Sequence, residues 1–414
     1  MIAAIITIGT ELTDGRIVDT NSGFIAARLE RLGLRVAMAL TLPDEERAIG
    51  EGLAYALERQ AALVIISGGL GPTIDDITAT AIARALELEI AIDPEAEQMV
   101  ADAVGRDPAD LAPHQYKQAE LPVGSMSLKP AGTAPGFVVM AGDIPVVCLP
   151  GVPRELTEMW DYALAVPAIA TIIGAVDAPA RRSLCFYGSG EPAVSAAVES
   201  FLGTELEGIE VSICARYQEV VLEIVFPPAA SSRVDKLMVS LKQRFGWDVF
   251  SEGERIEEAL GAELLSRGRM LAVAESCTGG MLGETLTGIS GSSGFFQGGV
   301  IAYANEIKTD LLGVSAETLE TDGAVSEAVA GQLATGVMHT CTADYGIGIT
   351  GIAGPGGGTT EKPVGLVYIG IAAATAGAVR RFDFRGGRED VRRSAVTAAL
   401  HMLHRHLLEE DAEA

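Results

Sequence analysis

The sequence predicts an α/β protein built from more than one domain. Short apolar runs rich in β-branched residues, typical of buried strands, alternate with amphipathic helical patterns; the first runs cover residues 2–8, 35–42, 62–67 and 145–150. Strands that alternate with helices form a parallel sheet covered on both faces. The chain of 414 residues also exceeds what one hydrophobic core usually organises, so we expect two or three domains.

The texture of the sequence divides the chain into three segments. Residues 1–170 contain the alternating strand and helix patterns of the first α/β domain. Residues 171–250 place strand runs between two helical patterns, which predicts a small α+β module. Residues 251–414 bring new strand runs separated by helices, which predicts a second α/β domain.

The charge and the cysteines restrict the possible partners and the compartment. Fifty-six acidic and thirty basic side chains give a formal net charge of −26, a field that repels phosphate backbones. We therefore expect no nucleic-acid partner. Five cysteines without C-x-x-C spacing fit neither a disulfide framework nor a zinc site, which favours the reducing cytoplasm. The N-terminal apolar run is too short for a signal peptide or a membrane span, so we expect no membrane association.

The stretch SGGLGPTIDD, after the strand at 62–67, predicts an anion site. Its glycine-rich turn runs into a helix, so that backbone amides and a helix N-terminus converge on one point. Asp75 and Asp76 lie where this turn enters the helix, and either can cap it. Alternatively, they join Glu11 and Asp44, which follow other strands, in holding a divalent cation that bridges phosphates. From the residues alone both interpretations stay open.

Several motifs in the first segment carry a family resemblance. GTELTDGRIVDTNS, LPDEE, SGGLGPTIDD, GTAPGF and LPGVPREL occur in this order over residues 1 to about 160. They resemble the N-terminal half of the CinA family, which is itself similar to molybdopterin-binding domains. The resemblance implies a three-layer α/β domain that hydrolyses ADP-ribose to AMP and ribose 5-phosphate. Lys129 stands where the family usually has an asparagine.

The same resemblance assigns residues to that activity. It implies a divalent cation, of uncertain identity, at four carboxylates: Glu11, Asp44, Asp75 and Asp76. It implies that ADP-ribose is bound by Asn21, Gly68, Gly69, Gly71, Thr73 and Glu155.

The middle segment resembles the KH-type segment of the CinA family. A KH domain would imply single-stranded nucleic acid as a partner. However, no G-x-x-G clamp is evident between the helical patterns, and residues 171–250 carry seven Lys or Arg against ten Asp or Glu. The electrostatic attraction that drives such binding is missing. We therefore predict a structural or dimer-forming role, and a homodimer.

AESCTGG, at residues 274–280, places two possible nucleophiles at a turn between a strand and a helix. Amides at the start of the helix could stabilise an oxyanion there, although Ser276 or Thr278 could also be a simple N-cap. The histidines of this domain lie in helical patterns and look like surface or packing residues. A lysine in an apolar pocket is an alternative base, and Lys308 and Lys362 are both possible from the residues alone. Cys277 would need a cationic neighbour to become reactive.

A second resemblance covers nearly all of residues 252–407. AESCTGG, GSSGFFQGGVIAYANEIK, LLGVSAETLETDGAVSEAVA, ADYGIGITGIAGPGGGTTEKPVGLVYI and GGREDVR are similar to the CinA C-terminal domain, which also occurs alone as a nicotinamide mononucleotide deamidase. The resemblance implies a serine–lysine amidohydrolase that needs no cofactor. It makes Ser276 the nucleophile and Lys308 the base, held and tuned by Tyr303, and leaves Cys277 a packing role.

Substrate-binding residues of this half follow from the same motifs. The amides of Thr278 and Gly279 would hold the oxyanion. The glycine-rich backbone at Gly351 and Gly354 and the guanidinium groups of Arg388 and Arg392 would bind the 5′-phosphate, although a solvated arginine face is the plain alternative. Together the resemblances imply a bifunctional enzyme that acts on nicotinamide mononucleotide and ADP-ribose. A nucleotide- or partner-binding protein of the competence and DNA-damage response, with a molybdopterin-like ligand on the N-terminal half, is the alternative.

Overall fold

Two compact units make up the chain. The structure, a computed structural model, describes residues 1–176, 178–203, 208–374 and 377–413. Contacts within the chain separate Met1–Pro179 from Ala180–Ala414. Both units combine helices with sheets, so the predicted α/β class is confirmed. In the described residues no single helix is long and apolar enough to cross a membrane, and only Pro153–Leu164 with Pro167–Gly174, bent by 77°, reaches that length and composition as a pair.

The first unit contains eight strands and eight helices among its described residues. The strands are β1 Ile2–Ile8, β2 Arg35–Leu42, β3 Leu63–Ser67, β4 Ile90–Ile92, β5 Glu120–Pro122, β6 Met126–Leu128, β7 Gly136–Ala141 and β8 Ile144–Leu149. The helices are α1 Thr10–Thr13, α2 Asn21–Arg31, α3 Glu46–Glu58, α4 Thr78–Ala85, α5 Pro94–Val104, α6 Pro113–Tyr116, α7 Pro153–Leu164 and α8 Pro167–Gly174.

A six-stranded sheet in the order β2-β1-β3-β8-β7-β6 forms the centre of the first unit. Strands β2, β1, β3 and β8 run parallel, whereas β7 and β6 are antiparallel additions, and β4 pairs with β5 in a separate ribbon. Because the four parallel strands point the same way, their carboxyl ends lie at one edge of the sheet. The segments that follow β1, β2, β3 and β8 therefore meet there.

Alternate side chains of the parallel strands bury themselves in two cores. Ile6 and Ile66 pack with helices α3 and α4 on one face, and Ile5 and Ile65 pack with α2 and α7 on the other. All four side chains are at most 1% exposed. This period of two is what a sheet covered on both faces requires, and it produces three layers.

The second unit contains nine strands and eight helices among its described residues. The strands are β9 Ala180–Tyr187, β10 Glu210–Arg216, β11 Glu219–Phe226, β12 Val249–Ser251, β13 Leu271–Glu275, β14 Phe296–Ile301, β15 Tyr345–Gly351, β16 Leu366–Ala372 and β17 Ala378–Asp383. The helices are α9 Glu191–Leu202, α10 Ser231–Phe245, α11 Ile256–Arg267, α12 Met281–Thr287, α13 Asn305–Leu312, α14 Ala316–Thr321, α15 Glu327–Thr340 and α16 Arg388–Glu413.

The second unit has two sheets. An antiparallel sheet in the order β10-β11-β9-β12 packs one face on α9 and α10, around a core that includes Phe186 and Leu237. A five-stranded sheet has the order β14-β13-β15-β16-β17, with β14, β13 and β15 parallel and the last two strands antiparallel. Helix α15 covers one face of this sheet, and α11, α12 and α16 cover the other. The carboxyl ends of β13, β14 and β15 share one edge.

Candidate functional sites

The predicted site of the first unit lies at the edge where the parallel strands end. A cavity of about 540 Å³ opens there, between the segments that follow β1, β2, β3 and β8. The predicted residues that line it are Glu11, Asn21, Asp44, Gly68, Gly69, Gly71, Asp75, Asp76 and Glu155. Thr73 does not line the cavity, but its hydroxyl contacts the carboxylates of Asp75 and Asp76.

Two glycines let the backbone after β3 turn closely against its neighbours. Gly68 has φ +114°, and a Cβ there would lie 2.1 Å from the carbonyl oxygen of Ile8. Gly69 has φ +66°, and its Cβ would lie 2.2 Å from Thr78 Oγ1. Thr78 Oγ1 in turn donates to the Gly68 carbonyl at 2.8 Å, which ties the turn to the first residue of α4. Glycine is needed because the turn combines left-handed backbone with contacts too close for any side chain.

The two acids of this turn do not cap the helix that follows. Among the described contacts, no side chain caps α4, whose N-cap position is Ile77. Asp76 instead accepts hydrogen bonds from the Thr73 amide at 2.8 Å and the Thr73 hydroxyl at 2.6 Å. The Thr73 hydroxyl also holds the pKa of Asp75 below its ordinary value. The carboxylates thus close the turn on itself, and both residues line the cavity.

The other predicted acids lie after β1, β2 and β8. Asp44 Oδ2 accepts from the amide of Thr10 at 2.7 Å and from its hydroxyl at 3.0 Å. The Glu11 carboxylate lies against Gly9, where a Cβ would be 2.5 Å from Glu11 Oε1. Burial raises the pKa of Glu155. Within the described part of the chain, no three acidic, histidine or cysteine side chains come close enough to form a metal cage.

Asn21 is fixed by a buried polar network that reaches three loops of the cavity. Its Nδ2 donates to Ser67 Oγ at 3.0 Å and to the Gly151 carbonyl at 2.8 Å, and Ser67 Oγ donates to the Pro150 carbonyl at 3.0 Å. The amide group is therefore oriented before any ligand arrives.

Four polar residues at the first site were not predicted from the sequence. Asp19 lines the cavity, and although burial acts to raise its pKa, hydrogen bonds from Ser22 and Thr7 hold that pKa below its ordinary value. Gln118 and Thr133 also line it, joined by a 3.3 Å hydrogen bond. Lys117 donates to the Thr73 carbonyl and so brings a positive charge to the rim. Asp19 and Thr133 lie inside GTELTDGRIVDTNS and GTAPGF, two motifs that carry the family resemblance, whereas no motif marks Lys117 or Gln118.

Lys129 lies apart from this site. It is exposed and is absent from the residues that line the cavity, whereas Thr133 of the same GTAPG segment is present.

In the second unit, Ser276 lies at the carboxyl end of β13, the middle of three parallel strands. Its amide donates to the Ile349 carbonyl of β15 at 3.0 Å, and the Glu275 carbonyl accepts from Ala302, just after β14, at 2.7 Å. Strand pairing thus holds the serine between the ends of both neighbours. Gly351 ends β15, and Tyr303 and Lys308 follow β14, so the predicted residues gather at this edge.

The buried acid before the serine organises its turn. Glu275 is 2% exposed, and its carboxylate accepts from the amides of Gly280 and Leu282 at 3.0 Å and of Gly283 at 2.8 Å. The amides at the start of α12 are therefore occupied. No described acceptor engages the amides of Thr278 and Gly279, which lie between Ser276 and that helix. The free donors at this site belong to the turn and not to the helix start.

Lys308 is a buried amine beside this turn. It is 1% exposed, and its Nζ donates to the backbone carbonyl of Tyr303 at 3.0 Å. Burial lowers the pKa of Lys308, only partly offset by the Glu306 carboxylate. Tyr303 is 63% exposed, and its contact with the lysine is made by its main-chain carbonyl. Lys362 instead donates to the Asp322 carbonyl at 2.5 Å.

Cys277 and Thr278 point into the protein. Cys277 belongs to the core over α11, α12 and α16, and burial raises the pKa of its thiol to about 12, which leaves it a poor nucleophile. The Thr278 hydroxyl is fully buried and has no hydrogen-bond partner among the described residues. A buried hydroxyl without a partner is destabilising.

Two arginines of α16 hold the loops around the serine. Arg388 donates to the Gly354 carbonyl at 2.7 Å, which fixes the glycine-rich loop after β15. Arg392, the other arginine predicted to offer a guanidinium group, donates to the Thr278 carbonyl at 2.7 Å. Arg388 is thus not a freely solvated side chain. The charges of both arginines also reach Cys277.

Comparison with known proteins matches both units. The family described as "Probable molybdopterin binding domain" matches residues 4–171, and the family described as "CinA C-terminal domain" matches residues 253–407. The protein therefore joins an α/β domain of the molybdopterin-binding class to a CinA-type domain.

Relatives that match the whole chain show which family combines these two domains. CinA-like proteins from Mycobacterium avium and a Synechococcus species are 38% and 40% identical, each over 98% of this chain and 98% of the relative. The crystal structure titled as the protein CinA with unknown function, from Thermoplasma acidophilum, is 37% identical and covers 41% of this chain and 98% of that chain, with a TM-score of 0.38. The chain belongs to the CinA family, as its motifs predict.

Proposed function

We propose that the second unit hydrolyses the carboxamide of nicotinamide mononucleotide to the carboxylate and ammonia, with Ser276 as nucleophile and Lys308 as base. The observation that carries the proposal is the buried Lys308 amine, whose lowered pKa favours the neutral form and whose charge reaches Cys277, the neighbour of Ser276. A neutral amine accepts the proton that a serine hydroxyl must lose before it attacks.

The chemistry balances with these two groups and one water. Lys308 Nζ takes the proton of Ser276 Oγ while Oγ bonds to the carboxamide carbon and the carbonyl electrons move to oxygen. The amides of Thr278 and Gly279 hold that oxyanion. When the C–N bond breaks, Lys308 returns the proton to nitrogen and ammonia leaves. Water then attacks the ester, Lys308 relays its proton back to Ser276 Oγ, and the carboxylate is released.

The substrate phosphate needs donors near the same edge. One of the five N–H donors of Arg388 is bonded to the Gly354 carbonyl, and others are available to a phosphate. In this proposal the glycine-rich backbone at Gly351 and Gly354 lies beside the phosphate.

The two lysines of the second α/β domain allow a matched test. We expect the intact chain to release ammonia from nicotinamide mononucleotide, Lys308→Met to lose this activity, and Lys362→Met to keep it. Equal activity of the two variants would refute the assignment of the base. No turnover by the intact chain would favour the alternative, a nucleotide- or partner-binding protein of the competence and DNA-damage response.

We also propose that the first unit hydrolyses ADP-ribose to AMP and ribose 5-phosphate. The supporting observation is the cavity of about 540 Å³, which combines a glycine-rich backbone with several carboxylates and an oriented amide at Asn21. Cavities of 300–1,000 Å³ are usual for small ligands of roughly this size. Lys117 adds a positive charge near the turn that would face the diphosphate.

A divalent cation fits this donor set only in part. Glu11, Asp44, Asp75 and Asp76 offer oxygen ligands, yet no three of them converge into a cage within the described residues. One or two carboxylates together with substrate phosphates are the usual ligands of Mg²⁺, so these side chains would hold such an ion with the diphosphate. Bound there, the cation would supply charge neutralisation.

Single acid substitutions separate the two proposed activities. Asp76→Asn should abolish AMP release from ADP-ribose and leave ammonia release unchanged, because Asp76 belongs to the first unit alone. Asp143→Asn, on an exposed turn, is the matched control. Full AMP release by Asp76→Asn would show that this carboxylate takes no part.

A further inference from the structure

A small cavity separate from both proposed sites lies inside the second unit. Its volume is about 100 Å³, and its walls come from the four-stranded sheet, from β17 and from α16. Aromatic side chains form much of the lining, namely Tyr187, Trp247, Phe250 and Phe382. None of the lining residues belongs to the turn that carries Ser276. The cavity opens to solvent at Trp247, which is 52% exposed.

Two buried histidines of α16 line this cavity, and only one has a partner. His401 Nε2 lies 2.7 Å from Glu219 Oε1, and its ring stacks on Tyr187 with centroids 3.8 Å apart at 8°. His404, 8% exposed, makes no hydrogen bond to any described residue. Its ring nitrogens are therefore available to a ligand in the cavity.

The mouth of the cavity offers a positive charge. Arg380, exposed on the edge strand β17, forms no ion pair with the described residues, and its charge reaches the Tyr187 phenol. The neighbouring Arg405 is neutralised by Glu409 at 3.2 Å. In a chain with a net charge of −26, an unpaired guanidinium beside aromatic rings is a specific attraction for an anion.

We propose that this cavity binds a single planar heteroaromatic ring that carries an anionic group, such as a pyridine carboxylate. The volume is about two thirds of the roughly 150 Å³ in which benzene is enclosed, so the cavity buries only part of one ring and the rest of the ring lies at the open mouth. The aromatic walls stack on the ring, His404 hydrogen-bonds a ring atom, and Arg380 binds the carboxylate. A nucleotide would not fit whole. The proposal is independent of the activity assigned to Ser276.

Trp247 reports directly on occupancy. The chain has two tryptophans, and the other, Trp160, is 2% exposed in the core of the first unit. Titration of the full-length protein with nicotinate should change the fluorescence of Trp247 saturably. Nicotinamide, which has the same ring without the charge, should bind more weakly by at least about tenfold. The change should vanish in Trp247→Phe.

Variants of the polar residues test the recognition itself. Arg380→Ala should weaken the binding of nicotinate by at least about tenfold and leave the binding of nicotinamide unchanged, because only nicotinate carries a negative charge. His404→Leu should weaken both ligands, and the melting temperature checks that each variant is folded. The proposal is overturned if nicotinate causes no change at millimolar concentration, if the same change remains in Trp247→Phe, or if Arg380→Ala binds nicotinate as the parent does.

Discussion

At the scale of single residues, Lys308 is the group whose surroundings most alter its chemistry. Its aliphatic stem and amine are buried, and its one described hydrogen-bond partner is a neutral carbonyl. Burial disfavours the charged amine more than the Glu306 carboxylate stabilises it, so the pKa of Lys308 is lowered from 10.5. A lysine of this kind can act as a base where an exposed lysine stays protonated.

The first prediction concerns the pH dependence of deamidation. The neutral amine is the active form, so kcat/KM for nicotinamide mononucleotide should rise as pH rises through the Lys308 pKa, with a midpoint below 10.5. Initial rates of ammonia release between about pH 6 and pH 10 measure this rise. Below the midpoint the rate should increase roughly one decade per pH unit. A rate that falls with pH over this range, or a midpoint above that of free lysine, would contradict the assigned role.

The second prediction concerns Glu275, which positions the turn of Ser276. Glu275→Gln replaces an acceptor of three amides by a group with one acceptor oxygen, so buried donors lose partners at about 1–3 kcal/mol each. We expect a lower melting temperature and kcat reduced by about ten- to a hundredfold with KM little changed. Glu284→Gln, at an exposed position of α12, is the control. Parental kcat in Glu275→Gln would show that the turn does not depend on the carboxylate.

At the scale of elements, both proposed sites use the turn after a central parallel strand. In the first unit this turn needs glycines, and in the second it needs a buried acid.

The third prediction concerns the glycine turn of the first unit. Gly68→Ala places a Cβ 2.1 Å from the Ile8 carbonyl, so β1 and β3 must separate.

We expect Gly68→Ala to lower the melting temperature of the first unit and to abolish AMP release from ADP-ribose. Gly124→Ala is the matched control, because Gly124 has φ +90° but a Cβ added there would meet no atom within 4 Å. The control substitution is destabilised only by the left-handed backbone at a residue with a side chain, by about 1 kcal/mol. Equal effects of the two substitutions would mean that backbone conformation, and not the close approach, matters at Gly68.

The elements also show how far the sequence could be interpreted. Strand and helix alternation predicted the sheets, because buried strands leave apolar runs such as residues 62–67. The motifs GGLGPT and AESCTGG identified two strand-end turns. The sequence did not reveal Glu275 as the acceptor of the helix amides, nor Arg392 on the Thr278 carbonyl, 114 residues away in the chain. Such partners depend on tertiary packing, which leaves no local pattern.

Tyr303 illustrates the same limit within a recognised motif. The resemblance associates Tyr303 with Lys308, and the spacing of five residues does bring the two together. Only the structure shows that the contact is made by the main-chain carbonyl while the ring faces solvent. The motif therefore identified Tyr303 as a neighbour of Lys308 but could not show which of its atoms makes the contact.

At the scale of the whole molecule, α16 joins the two sheets of the second unit through its histidines. The fourth prediction is that this unit loses stability in acid. Burial lowers the pKa of His404 from 6.5 to about 4, so the unfolded chain binds more protons between these values and stability falls as pH falls through this range. The loss should approach about 3 kcal/mol near pH 4.

His404→Leu should remove most of this pH dependence, whereas His339→Leu, which changes an exposed histidine, should leave it unchanged. Melting temperatures between pH 7 and pH 4.5 measure the effect (the proton linkage acts over about two pH units). An acid-induced decrease of the same size in His404→Leu would assign it to other groups.

The central claim is that Ser276, and not the adjacent Cys277, attacks the carboxamide, and one measurement tests it most directly. The intact protein is mixed with nicotinamide mononucleotide and quenched in acid, ammonia is quantified, and the acylated peptide is located by mass spectrometry. We predict an acyl group on Ser276, a loss of at least about a thousandfold in Ser276→Ala, and near-parental ammonia release by Cys277→Ala. Parental turnover by Ser276→Ala, or an acyl group on Cys277, would contradict the account.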